Sequence, residues 1–193
     1  MIKSKLDLKE YLVQDKKQLG IIRRQPRPFL DDIWKYEIQL RRYEYWINCG
    51  QGFVGKFMKA YHKIIHYRKS IKLGISIPPN TCAKGLSIAH QSCIQINDQA
   101  KIGENLRIHE GVTIGASGGT KAPVIGDNVF LASGCKVIGD VRIADNVAIG
   151  AGAVVVKDCL EANSTYGGVP ARKISENDSS LFVFWYRFND KNK

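Results

Sequence analysis

"VIGDNVFLASGCKVIGDVRIADNVAIGAGAVV", residues 124–155, places an aliphatic at every sixth position: Ile125, Leu131, Val137, Ile143, Ile149 and Val155. Upstream the same rhythm runs through Ile96, Ile102, Ile108 and Ile114. Four residues after most of these comes a second small or apolar residue: Ala100, Leu106, Val112, Val129, Cys135, Val141, Val147 and Ala153. A helix repeats every 3.6 residues and a half-buried strand every two, so a period of six belongs to neither. It fits a prism-like β-solenoid, in which each hexad is one short flat strand with an aliphatic turned inward. Gly or Ala directly after the aliphatic, as in "IGEN", "IGDN", "IADN" and "IGAG", is expected to permit the corner. Three hexads, roughly 18 residues, close one coil, so residues 75–175 hold about five to six coils. The coils stack at about 4.8 Å, the ordinary distance between strands.

Two interruptions mark this repeat. Ile88 and Ile94 share a register, but Ile96 starts one displaced by two residues, so the phase slips beside His90 in "GLSIAHQSCIQIN" (85–97). Between Ile114 and Ile125 lie eleven positions instead of six, holding "ASGGTKAP". A Gly-rich loop pushed out of a flat-sided prism is placed to cover a neighbouring site. It is not a P-loop, because the GxxxxGK[ST] spacing is absent.

Residues 1–74 read as a basic helical segment, residues 75–175 as the solenoid and residues 176–193 as a tail. In "RPFLDDIWKYEIQLRRYEYWIN" (27–48) Phe29, Ile33, Leu40, Tyr43 and Ile47 recur at helical intervals after a Pro-rich break. Gly50, Gly52 and Gly55 then interrupt the chain before "KFMKAYHKIIHYRKSIKLG" (56–74). There His62 and His66 sit i, i+4, a spacing metals use. Lys63 stands where a zinc protease carries its Glu, however, and the neighbours are basic, so both are read as surface residues. The tail's "SLFVFWYRF" (180–188) is expected to cap the last coil, whose open end is an exposed sheet edge.

The first 74 residues hold 17 Lys+Arg against 7 Asp+Glu, whereas the remainder is nearly balanced. Such a segment suits an anionic glycan, a lipid diphosphate or the inner membrane surface. No nucleic-acid-binding motif accompanies it. No apolar run approaches the roughly 20 residues that span a bilayer, and the N-terminus lacks the apolar stretch of a signal peptide. Five cysteines without CxxC or zinc-ribbon spacing point to reduced thiols in the cytoplasm.

Over residues 72–174 the hexads resemble those of the left-handed β-helix acyltransferases. That family's coil is left-handed, against the usual right-handed crossover, and periodicity alone does not reveal the hand. The resemblance is nearest to the serine-acetyltransferase-like branch, through "SIAH" ending at His90, "IGENLRIHEGVTIG" (102–115), "KAPVIGDNV" (121–129), "IADNVAIGAGAVV" (143–155) and "YGGVPARKI" (166–174). "SIPPNT…GLSIAH" with "RIHEGVTIG" is more similar to the capsule and exopolysaccharide O-acetyltransferases of that branch than to the serine enzymes.

Two departures support that leaning. The serine enzymes carry an Asp about one coil before their catalytic His, yet no Asp or Glu occurs here between Glu44 and Asp98. They also carry a second His where Ala122 stands. A free amino acid brings an ammonium group that needs a carboxylate, so its absence turns the expectation towards an uncharged sugar hydroxyl.

The resemblance implies a homotrimer that uses acetyl-CoA and no metal. Acetyl transfer to a hydroxyl needs a base near neutral pKa and donors for the tetrahedral oxyanion. His90 matches the family's base. His109, about one coil later, is placed to orient it, to bond the acceptor or to line the thiol pocket. Glu110 is the nearest replacement for the missing Asp, with Asp98 a second candidate. In the family, backbone groups matching Gly115, Ala116, Ser133 and Ala151 contact CoA, where small residues let the pantetheine lie close. Lys121 and Arg172 are candidates for its phosphates. The expected protein is a trimeric, cytoplasmic or peripherally membrane-bound O-acetyltransferase acting on a sugar or lipid-linked glycan during surface-polysaccharide synthesis. The alternatives are serine O-acetylation in cysteine synthesis, a non-catalytic trimeric scaffold, and a zinc enzyme of carbonic-anhydrase type. The last needs three histidines where the solenoid has two.

Overall fold

The computed structural model describes residues 1–119 and 121–184. Three helices come first: α1 (Lys5–Gln18), α2 (Asp32–Cys49) and α3 (Gly52–Leu73). Then follow β1 (Ile75–Ser76), β2 (Ser87–Ile88), β3 (Ile94–Ile96), β4 (Lys101–Ile102), β5 (Arg107–Ile108), β6 (Thr113–Gly115) and β7 (Val124–Ile125). The rest are β8 (Phe130–Leu131), β9 (Lys136–Ile138), β10 (Arg142–Ile143), β11 (Ala148–Ile149), β12 (Val154–Val155), β13 (Thr165–Gly167), β14 (Arg172–Ser175) and the short α4 (Ser180–Val183).

The strands make three flat faces of a prism. The first stacks β1, β3, β6, β9 and β12; the second β4, β7 and β10; the third β2, β5, β8, β11 and β13. All these pairings are parallel, with β14 turning back antiparallel on β13. Register runs aliphatic on aliphatic: Ile88 on Ile108 on Leu131 on Ile149, and Ile96 on Ile114 on Val137 on Val155. Every one of these side chains is buried in a single core. This is the expected left-handed parallel β-helix, with helices at its N-terminal end.

The corners differ in detail from the sequence expectation. Between the second and third faces the turning residues are Asn105, Asn128, Asn146 and Asn163, each with φ between +55° and +58°. Asn tolerates the left-handed region better than other side-chain-bearing residues. Stacked at one corner, the four form a ladder of side-chain amides: Asn105 donates to Asn128 (2.8 Å), Asn128 to Asn146 (2.9 Å) and Asn146 to Asn163 (3.0 Å). On the second face the Gly after the aliphatic answers a different need. A Cβ on Gly103 would lie 2.2 Å from Asp127 Oδ1, and one on Gly126 equally close to Asp145 Oδ1. Those carboxylates accept the backbone N–H groups of Glu104 and Asp127. Glycine is there for close approach, and Asn makes the turn.

The helices seal the first coil. Strand β2 is the open edge of the third face, and an unpaired edge N–H must find an acceptor. Asp15 of α1 accepts from the N–H groups of Gly85 (2.7 Å) and Leu86 (2.9 Å), and Glu37 of α2 accepts from Ile88 (3.0 Å). Arg41, fully buried, binds Asp15 at 2.7 Å and Glu44 at 3.0 Å, and donates to the carbonyls of Cys82 and Ala83. Gln18 donates to Asn105 (2.7 Å) at the top of the amide ladder.

His62 and His66 are not surface residues. They are 6% and 8% exposed, on the face of α3 turned towards α2. Gln39 meets His62 Nδ1 at 2.9 Å, and His66 Nε2 lies 3.1 Å from the Ile77 carbonyl. The basic neighbours that suggested exposure lie elsewhere around the helix. At the other end, α4 lies against the third face rather than across the last coil: Val183 is buried with Phe130, Ala132 and Ala148. Residues 185–188 of the expected aromatic cap lie outside the described residues. No described helix is long and apolar enough to cross a membrane.

Removing Arg41 leaves two buried carboxylates without their cation, so Arg41→Met should cost about 3–5 kcal/mol, read from chemical denaturation. Asn128→Ala loses two amide bonds and keeps a left-handed φ, costing about 2–3 kcal/mol. Asn128→Gly should cost less in the same titration, because glycine adopts that φ freely.

Candidate active site

The site lies at the corner between the third and first faces. Eight positions separate Ile88 from Ile96, where six separate Ile108 from Ile114 in the coil stacked on it. The two additional residues bulge outward, and this corner turns on Ser92 and Cys93, with φ of +102° and +53°. Later coils turn at the same corner on Gly111, Gly134 and Gly152. The slip in the repeat is therefore a real bulge, and it carries His90 into solvent.

Because Ile88 pairs with Ile108, Glu110 occupies the place matching His90 one coil on, and His109 stands beside it at the place of Ala89. The two imidazoles meet at right angles, their centroids 5.5 Å apart. The His109 ring rests at right angles against Phe130 (5.0 Å), and Phe130 stacks on Phe182 of α4 (4.4 Å). Ser133, another coil on, places Oγ 3.4 Å from His109 Nδ1. Ligand atoms of His90, His109 and Glu110 all lie within 4.8 Å of one another. Glu110 Oε2 is enclosed and has no hydrogen-bond partner among the described residues.

The electrostatics separate the groups. Burial, more than the nearby Arg107 cation, pushes the His109 pKa down, against the opposing pull of Glu110. The Ser133 hydroxyl bond holds Glu110 below the usual carboxylate value. Near neutral pH the corner thus holds a neutral imidazole and an anionic carboxylate beside the exposed His90.

A cavity of about 320 Å³ opens beside the bulge, between Ile88, Ala89, Gln91 and the start of α2 at Asp31–Trp34. Its two carboxylates are already engaged, Asp31 by Arg23 and Arg27 and Asp32 by Lys72. Ala151 follows Ser133 down the same corner, where Gly152 N–H donates to the Ser133 carbonyl at 2.9 Å. Gly115 and Ala116 lie at the opposite edge of the first face. Lys121 is in the Gly-rich loop, 3.9 Å from Asp140. Arg172 begins β14 at the far end of the solenoid. The structure thus gathers His90, His109, Glu110, Ser133 and Ala151, and sets Gly115, Ala116, Lys121 and Arg172 apart from them. A three-histidine zinc set is not gathered within the chain, since the other two histidines are buried between α2 and α3.

Sequence reasoning missed Phe130, which walls His109, and Phe182, which stacks on Phe130. The available signal was an aromatic at an outward position of a flat strand, where β5 carries Arg107. It also missed Glu37, whose buried carboxyl is pushed up by desolvation while it holds the strand leading to His90.

Residues 122–157 match the family described as bacterial transferase hexapeptide (six repeats). The matched segment runs through the stacked coils from β7 to β12. More particularly, the chain is 39% identical over 108 residues to serine acetyltransferase of Staphylococcus aureus, covering 54% of this chain and 50% of the relative. It is 33% identical over 116 residues to serine acetyltransferase of Synechococcus elongatus, covering 58% and 47%. The crystal structure of serine acetyltransferase from Brucella abortus superposes with a TM-score of 0.71 at 24% identity, over 91% of this chain and 72% of that one. The same Brucella enzyme is also solved in complex with coenzyme A. This chain spans about half the length of the curated relatives it matches.

These relatives overturn the expected sugar acceptor and the polysaccharide route. The Asp missing ahead of His90 has its expected replacement in Glu110, which the stack brings within 4.8 Å of both imidazoles. Both the alternative of serine O-acetylation and the hexapeptide-repeat resemblance fit the relatives found.

Phe130→Ala should let water reach His109. By NMR titration, its imidazole pKa is expected below the ordinary value in the native chain and closer to it in the variant.

Proposed function

We propose that this chain is an acetyl-CoA-dependent serine O-acetyltransferase. The observation that carries the reading is the His90–His109–Glu110 corner, with its partnerless carboxylate oxygen, on a solenoid whose relatives are serine acetyltransferases. An amino acid acceptor brings an ammonium group, and the Glu110 carboxylate beside His90 is the anion that group requires. His90, exposed at the bulge, takes the proton from the serine hydroxyl. The serine oxygen attacks the thioester carbonyl, the C–S bond breaks, and protonated His90 returns its proton to the departing thiolate. The products are O-acetylserine and CoA.

Glu110 supports the imidazolium that forms on His90. His109, kept neutral by burial, offers a ring nitrogen as a second acceptor for the amino acid. Ser133 and Ala151 continue the corner as a wall along which a pantetheine arm fits closely. Gly115, Ala116 and Lys121 form a second strip on the other edge of the first face, and a trimer of prisms brings such strips towards a neighbour's His90 corner. Arg172 remains a candidate phosphate contact only at a subunit's last coil. A cytoplasmic location is supported by five free thiols.

The test is acetyl transfer from acetyl-CoA to L-serine, followed by thiol release. His90→Ala should lower turnover at least about a thousandfold while CoA binding persists. Glu110→Gln should lower kcat/KM for L-serine about 10- to 100-fold, as expected for losing a charged hydrogen bond, with little change in KM for acetyl-CoA. No transfer to L-serine by the native protein overturns the reading and leaves the non-catalytic scaffold.

A further inference from the structure

Helix α3 buries Gly55, His62, His66 and Leu73 against α2 and the first coil. Its opposite face is apolar and open to solvent. Phe53, Phe57, Tyr61, Ile64, Tyr67 and Ile71 follow one another at helical spacing, each between 49% and 86% exposed. At 1.5 Å per residue the 22-residue helix displays this stripe over about 30 Å. A continuous apolar face of that length marks a contact surface, whereas scattered single residues would not.

The charges around the stripe indicate what covers it. The helix carries six cations and no acid, and no Asp or Glu occurs anywhere between Glu44 and Asp98. At 100° per residue, Lys56 and Lys63 flank one side of the stripe and Arg68 the other, with Lys72 beyond it paired to Asp32. Two copies of α3 meeting face to face would bring these cations together with no acid on either helix to offset them, which opposes self-association through this face. An anionic surface meets both requirements at once. Aromatic and aliphatic side chains enter the boundary between headgroups and acyl chains, while flanking Lys and Arg reach lipid phosphates. Tyr61 and Tyr67 suit that boundary, having an apolar body and a polar tip. The excess of cations over the first 74 residues extends the same field beyond the helix.

We propose that the outer face of α3 docks the protein on an anionic phospholipid bilayer, with the helix lying in the plane of the interface. The docking is separate from the transferase reading, since neither His90 nor Glu110 takes part.

The experiment sediments the full chain with vesicles of phosphatidylcholine alone or mixed with phosphatidylglycerol, and measures its mass in solution in parallel. The native protein should sediment with the mixed vesicles, not with phosphatidylcholine alone, and binding should weaken as salt is raised. The double variant Phe57→Ser/Ile64→Ser should bind at least about tenfold more weakly, and so should Lys56→Glu/Lys63→Glu. Because all four side chains point outward, both variants should keep the native melting transition. Failure of the native protein to bind the mixed vesicles overturns the proposal. So does a fall in solution mass of the serine variant with unchanged vesicle binding, which would assign the stripe to contact between copies of the chain.

Discussion

Parallel stacking in register is the constraint on which the rest of this structure depends. It makes every residue the neighbour of the one occupying the same place a coil away, so one solution is repeated down the prism. Ile88, Ile108, Leu131 and Ile149 build one wall of the core in this way. Asn105, Asn128, Asn146 and Asn163 turn the same corner, and their amides satisfy one another. The candidate site follows from the same rule. His90, His109, Glu110 and Ser133 are scattered along 44 positions, and stacking gathers them at one edge.

A stack must also end, and its first rung is where the helical segment contributes most. The outward N–H groups of the first coil have no strand above them. Asp15 and Glu37 take that place, and Arg41 holds two carboxylates in the dry space between helices and coil. Because Glu37 grips Ile88, two residues before His90, the cap and the candidate base share one short strand. The helices thereby set the position of the bulge as well as closing the solenoid.

Misreadings of the sequence share one cause. His62 and His66 were judged by their basic neighbours, but on this helix the polar rings face inward and the hydrophobic stripe faces out. A pattern inverted in this way reads as ordinary until the packing partner is known. The acceptor was judged by the lack of acids between Glu44 and Asp98, a count along the chain. In a solenoid the relevant neighbour is about a coil away, and there the expected replacement, Glu110, stands. The Gly after the aliphatic was assigned to the turn, whereas Gly103 and Gly126 make room for the carboxylate one coil on.

The sequence by itself determined the period of six, the number of faces, the inward aliphatics and the place where the rhythm slips. These are local or strictly periodic, and a repeat writes them into the chain many times over. The tertiary structure alone decided that the slip is an outward bulge, that His90 stands over His109 and Glu110, that Phe130 dries one imidazole, and which face of α3 is left open. Each of those is a contact between residues far apart in the chain, and the energy that selects it is absent until the coils stack and the helices close upon them.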